Sequence, residues 1–289
     1  MRLRTAILNG TPATVAVRDE ETYAVVDATR PLDDSLRHGV LSRHARPEHI
    51  DLTMLPTVAR RATEPATLIQ HPGKLWGIGL NYREHAGDLD ETAPTEPASF
   101  LKGAHTLTEP GGPIEIPHGS TGTTSEAEFG LVIGKHARHV PAARWRDYVA
   151  GICLILDQTE ESVLRRNPRF LTRAKNSPTF LVLGADLITL DEVEAACDGD
   201  VSHLQVATKL NGTLVRRNIA ANMSFPPDHL VSFHSDLMPL HPGDLISTGT
   251  PGAAHITAGD SVSCEITGLA TLTVDVVDAA LSSARSTRV

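Results

Sequence analysis

Residues 125–135 read "SEAEFGLVIGK", two glutamates at the head of an apolar run. Side chains alternate faces along a strand, so Glu126 and Glu128 share one side, while Ala127, Phe129, Leu131 and Ile133 share the other. Residues two apart on a strand have Cα atoms roughly 6.6 Å apart, and glutamate is long enough for both carboxylates to converge on one cation. Taken alone, Glu-x-Glu also fits a face that is simply solvated. A third acid strengthens the chemical reading. Asp157 closes "GICLILD", a run apolar enough to be buried on both faces. It also opens "DQTE", the pattern of a helix capping box. Three carboxylates with no cysteine or histidine beside them suit a hard cation, Mg²⁺ or Mn²⁺, with Ca²⁺ as a further option. Histidines supply no H-E-x-x-H, and His136 and His139 in "HARH" read as a surface turn rather than a ligand pair.

These acids need strands to hold them. From about residue 71 to 289 the chain reads mainly as short β runs with a few helices, expected at 141–150, 159–174 and 226–238. "KLNGTLVRRN" has the Asn-Gly signature of a tight hairpin, and Gly-Asp turns separate "HPGDLISTGTPG" from "TAGDSVSCEITG". Strands and helices do not alternate regularly, which argues for an α+β, mainly β class and against a doubly wound parallel sheet. Residues 1–70 read as a small separate unit that opens with another Asn-Gly hairpin, at Asn9-Gly10.

The bulk properties bound the function. With 289 residues the chain is long enough for one large domain and a small one. A formal charge of −9 with no long basic run argues against nucleic acid or an anionic membrane as partner. No apolar run is long enough to span a membrane, and no secretory signal is apparent. Three widely spaced cysteines, Cys153, Cys197 and Cys264, form neither a disulfide framework nor a thiolate metal site, which suits a reducing cytoplasm.

Seven segments in order, "GIGLNYREHA", "EPASFLKG", "SEAEFGLVIGK", "DYVAGICLILDQT", "LTRAKNSPTF", "KLNGTLV" and "GDLISTGTPG", make the chain resemble the fumarylacetoacetate hydrolase family over roughly residues 72–277. The resemblance implies a mixed β-sandwich roll and a homodimer. It implies a divalent-metal site at Glu126, Glu128 and Asp157, the set the strand reading reaches by itself. It also implies a substrate among 2-oxo or 2,4-dioxo acids, which members hydrolyse at a C–C bond, decarboxylate or isomerise through an enolate. By position, His85 matches the family histidine that activates water, with Asp88 able to orient it, and Lys175 matches the lysine beside the substrate. Tyr82, Lys102, Gln158 and Thr250 lie in the matched segments and are expected on the substrate side. "GIGLNY" is not a dinucleotide fingerprint, because Tyr82 stands at its last glycine position.

Members of the family commonly carry an arginine and a glutamine where this chain has Glu161 and Leu164, and Phe-Asp where it has Ser177-Pro178. The metal set is unaffected by these changes, but a glutamate at position 161 weakens the case for a dicarboxylic substrate, with Arg165 or Arg166 in the next turn as the alternative partner for a distal carboxylate. The leading expectation is a metal-dependent C–C hydrolase of an acylpyruvate-like acid. A decarboxylase or enol–keto isomerase with the same site is the alternative, and a non-catalytic ligand-binding homologue the third.

Overall fold

The computed structural model describes residues 1–39, 50–84 and 94–279. Both Asn-Gly pairs turn as their chemistry requires. Asn9 and Gly10 take φ of 51° and 77° between the paired strands Arg2–Leu8 and Thr11–Val17. Asn211 and Gly212 take 51° and 79° between Gln205–Leu210 and Thr213–Ile219. Two consecutive residues of positive φ are what a type I′ hairpin needs, and Asn-Gly tolerates them best.

Two long strands form the axis of the fold. The glutamate strand, Thr123–Ile133, and the aspartate strand, Val149–Glu160, run antiparallel, from Glu160 opposite Thr123 to Val149 opposite Ile133. Every residue of both is buried. They lie inside a 13-stranded mixed sheet, with Leu245–Ser247 and Ala253–His255 on the far edge of the glutamate strand. A second sheet of five strands covers one face. There Ala127, Phe129, Leu131 and Ile133 join Val206, Val262, Ile266 and Val274 in the larger core. On the other face Val132, Cys153 and Ile155 join Leu3, Leu32, Leu68 and Leu75 in a second core. Each such fully buried aliphatic chain stabilises the fold by about 1.5–3 kcal/mol.

The acidic face of the ladder is therefore the one that continues into the core shared with the N-terminal residues. Arg2–Leu8 hydrogen-bonds to Leu187–Ile188, and Ile188 in turn pairs with Ile152 of the aspartate strand. One hydrogen-bonded sheet thus crosses the expected boundary near residue 70.

The mainly β, mixed-sheet architecture is the one expected, but two helices are not. The 141–150 stretch is a short 3₁₀ helix, Ala142–Asp147, before Val149 enters the aspartate strand. Val149 and Ala150 are buried, and the free edge of the glutamate strand offers Val149 a ladder partner in Ile133, which outweighs local helix preference. The expected 159–174 helix starts late and breaks. Thr159 and Glu160 belong to the strand, Glu161–Arg166 is one helix, and Pro168 separates it from Leu171–Lys175. The third helix is present as Pro227–Leu237. Among the described residues no helix is long and apolar enough to cross a membrane.

Candidate metal centre

Ladder register brings the three acids together. Asp157 sits directly opposite Glu126, and Ile155 opposite Glu128, so all three carboxylates rise from one face. Asp157 is therefore inside the strand and caps no helix. The acids are 7 %, 2 % and 0 % exposed for Glu126, Glu128 and Asp157, which removes the solvated-face reading. One carboxylate oxygen from each lies within 4.8 Å of the others.

Each acid is aimed by specific partners. Glu128 Oε2 accepts from Ser247 Oγ at 2.5 Å and from the Gly249 N–H at 2.8 Å. Gly249 has φ of +95°, and a Cβ there would come within 2.7 Å of the Asn81 Cβ, so only glycine presents that N–H. Glu126 Oε2 accepts from Lys175 Nζ at 2.7 Å and, at the limit of a bond, from Thr159 Oγ1 at 3.5 Å. Asp157 Oδ1 accepts from Lys102 Nζ at 2.5 Å. Its Oδ2 is buried without a hydrogen bond, although Lys175 Nζ stands 3.3 Å away.

The two lysines come from separate elements. Lys102 ends the strand Ala98–Lys102, and Lys175 ends the helix Leu171–Lys175. Lys175 also lies over the Phe100 ring, 5.1 Å from its centroid. Asn176 joins the two elements. Its Oδ1 accepts from the Gly103 N–H at 2.7 Å, and its Nδ2 donates to the carbonyls of Leu101 and Thr172 at 3.3 and 3.0 Å.

Burial, and then the Asp157 and Glu126 carboxylates, push Glu128 up to about 8. Burial pulls Lys102 down to about 8 against the attraction of Asp157. Burial would lower Lys175 as well, but Asp157, Glu126 and Glu128 outweigh it and hold its ammonium above the ordinary lysine range. Three carboxylates against two ammonium groups leave an uncompensated acid in a water-excluded site, which is costly. A divalent cation fits these residues. The donors are all hard oxygens, they converge, and the unbonded Asp157 oxygen gains a partner.

The other expected site residues fall in three places. Tyr82 is fully buried in the larger core, its hydroxyl without a hydrogen bond; burial, then Glu128, push that hydroxyl up. Gln158 faces the opposite side of the ladder from Asp157, donating to Ser125 Oγ at 3.1 Å, with its own Oε1 unbonded. Thr250 is buried in the turn that follows Gly249, its hydroxyl donating to the Gly252 carbonyl at 3.2 Å. His85 and Asp88 lie outside the described residues. His136 and His139 are exposed. Sequence reasoning missed Ser247, Gly249 and Asn176. The glycine turn in "STGTPG" was a signal for the first two; nothing in the sequence marks Asn176.

Residues 74–277 match the family described as fumarylacetoacetate (FAA) hydrolase C-terminal. A mitochondrial oxaloacetate tautomerase of Arabidopsis thaliana is 34% identical over 206 residues, 70% of this chain and 90% of that protein. Among solved structures, a 5-carboxymethyl-2-hydroxymuconate delta-isomerase from Mycobacterium smegmatis is 26% identical with a TM-score of 0.77, over 96% of this chain and 100% of that one. A maleylpyruvate hydrolase from Sphingobium sp. SYK-6, solved with manganese(II) and pyruvate, is 23% identical with a TM-score of 0.75, over 96% and 99% of the two chains, a likeness of fold.

Proposed function

The chain belongs to the fumarylacetoacetate hydrolase family, and from that premise we propose that it is a divalent-metal-dependent enzyme that hydrolyses a C–C bond of an acylpyruvate-like 2,4-dioxo acid. The observation that carries this reading is the buried Glu126–Glu128–Asp157 cluster with two buried lysines against it. In the reaction, water adds to the 4-carbonyl carbon and the C3–C4 bond breaks. The electron pair passes to C3 and spreads onto the 2-oxygen, and protonation at C3 completes pyruvate beside the released acid. A cation held by the three carboxylates supplies Lewis-acid charge where the 2-oxygen becomes negative. Lys175, which keeps its proton, is a fixed positive charge beside that oxygen, and Lys102 adds a second for the 1-carboxylate. The Thr250 hydroxyl is a further donor to that carboxylate once it exchanges the Gly252 carbonyl for substrate. Water activation is assigned to His85, oriented by Asp88, on the sequence alone.

A second reading keeps the site and drops the water: enol–keto isomerisation, or decarboxylation, of a 2-oxo acid. The tautomerase and isomerase likenesses favour it. Product analysis separates the two. Chelator-stripped protein is assayed with Mg²⁺ or Mn²⁺ on acylpyruvates, oxaloacetate and a 2-hydroxymuconate-type acid, beside Glu126→Ala and His85→Ala. Pyruvate released only with the ion, with Glu126 and with His85 is the expected result. An ultraviolet change without cleavage products, or CO₂ release, transfers the assignment to the second reading. Absence of ion-dependent turnover and of ion binding overturns both.

A further inference from the structure

The ladder continues outward past the carboxylates, and its register says which side chains come next. Residues directly opposite each other in antiparallel strands share a face. Thr124 is opposite Thr159 in the aspartate strand and opposite His255 on its other side. All three therefore stand on the acidic face, one two-residue step beyond the row of Glu126, Asp157 and Ala253. Another step brings Gly122 and Glu161, joined by the Glu161 N–H donating to the Gly122 carbonyl at 2.9 Å. A Cβ on Gly122 would sit 3.8 Å from the Glu161 Cβ, so the Glu161 side chain leaves the backbone on this same face.

This outer row has unused hydrogen-bonding capacity. Thr124 is 2 % exposed and its Oγ1 has no hydrogen-bond partner. The Thr159 hydroxyl reaches only the distant Glu126 oxygen, 3.5 Å away. Among the described residues the half-buried Glu161 carboxylate accepts no hydrogen bond. Burial and the Glu126 carboxylate push it above the ordinary range, while Lys175, Arg165 and His255 pull the other way. Glu160 behaves differently. It belongs to the other face, where Ser120, Thr123 and Ser162 occupy its oxygens. There it lines a cleft of about 540 Å³ with Arg166 and Arg173.

We propose that Thr124, Thr159, His255 and Glu161 form the subsite for the end of the substrate remote from the metal, and that this subsite takes an uncharged, hydroxylated tail in preference to a second carboxylate. The inference rests on the 2-oxo acid reading above and narrows its substrate class. A hydroxyl can donate to Glu161 and accept from Thr124, which satisfies both at once. A carboxylate can only accept, so it leaves Glu161 unpartnered and sets two negative charges together. A hydrocarbon tail leaves the buried Thr124 hydroxyl without a partner.

The test uses the full-length, Mn²⁺-loaded protein and three 2,4-dioxo acids of equal length, ending in a hydroxyl, a carboxylate or a methyl group. Turnover gives kcat/KM, and calorimetry on unreactive 2-oxo analogues with the same three tails gives Kd. The hydroxylated acid is expected to lead the carboxylate by about tenfold or more in both. Thr124→Val is expected to cut the hydroxyl-over-methyl ratio about tenfold. Glu161→Arg is expected to reverse the hydroxyl-over-carboxylate order, and Glu161→Gln to flatten it. Glu161 lies at the partly open end of the row, so its variants decide the matter even if Thr124→Val does not fold. A wild-type preference for the carboxylate, pointing to Arg165 or Arg166, overturns the proposal. So do variants that change all three acids alike. A hydroxyl preference in Kd without turnover of any acid supports the subsite and overturns only the assigned reaction. Neither preference nor turnover overturns both.

Discussion

Two buried acidic regions of this molecule differ in how they are satisfied. At the seam between the N-terminal residues and the large sheet, Asp33 and Asp244 are 0 % and 1 % exposed. Asp33 accepts from the N–H groups of Gln70 and His71 at 3.0 and 2.9 Å and pairs with Arg37 at 3.0 Å. Asp244 accepts from the N–H groups of Lys74 and His241, both at 2.8 Å, and pairs with the Lys74 ammonium at 2.6 Å. Backbone donors and one cation saturate each. At the candidate metal centre three acids share two lysines, one Asp157 oxygen has no hydrogen bond, and Glu128 is pushed up to about 8. Saturated buried acids hold the chain together. Unsaturated ones wait for a ligand, and the two kinds respond oppositely to mutation.

The largest expected difference is in turnover. Asp157→Ala or Glu126→Ala is expected to lower ion-dependent kcat/KM by about a thousandfold or more, several kcal/mol of transition-state stabilisation. In Glu128→Gln the melting temperature without metal should hold or rise, because that change relieves the repulsion from Asp157 and Glu126 and strips neither Lys102 nor Lys175 of its ion-pair partner. A variant that keeps half its turnover would erase the contrast. Asp244→Ala is expected to do the reverse. It should cost about 3 kcal/mol of stability by leaving Lys74 and two N–H groups unpaired, read as a fall in denaturant midpoint.

A pH titration sharpens the same contrast. Glu128 holds its proton in the folded chain up to about 8, whereas an unfolded glutamate loses it near 4.5. Stability of the metal-free protein from this group is therefore full below about 4.5 and falls as pH rises toward 8, by up to about 1.4 kcal/mol per pH unit. Saturating Mg²⁺ or Mn²⁺ displaces that proton, so binding should release protons at pH 7 and flatten the curve. Thermal melts across pH with and without metal measure this, and parallel curves would contradict it. The smallest effect belongs to Asn176→Ala, which touches no carboxylate. Loosening the link between the Lys102 and Lys175 elements is expected to lower kcat/KM about tenfold with little change in metal affinity.

Much of the site was legible because a strand's period of two is a local property. Glu126 and Glu128 had to share a face once residues 125–133 formed a strand, and the residue types alone chose a hard cation. Both Asn-Gly hairpins were legible for the same reason, since positive φ at two successive positions is a property of those residues. A helix over the whole of 141–150 fails because Val149 answers to Ile133 across the ladder, not to its neighbours in the chain. Thr124 could have been found by counting one more step back from Glu126. His255 could not, because nothing in its surroundings says which strand it pairs with.

The sequence by itself determined which residues could bind a cation, which face two of them share, and the family the chain resembles. Only the tertiary structure decided that Asp157 stands opposite Glu126, that Lys102 and Lys175 close on them through Asn176, and that Thr124, Thr159 and His255 form one row. The physical reason is range. Face and turn follow from φ, ψ and the nearest neighbours in the chain. Register and partner follow from hydrogen bonds and packing between segments dozens of residues apart, and those energies belong to the folded whole.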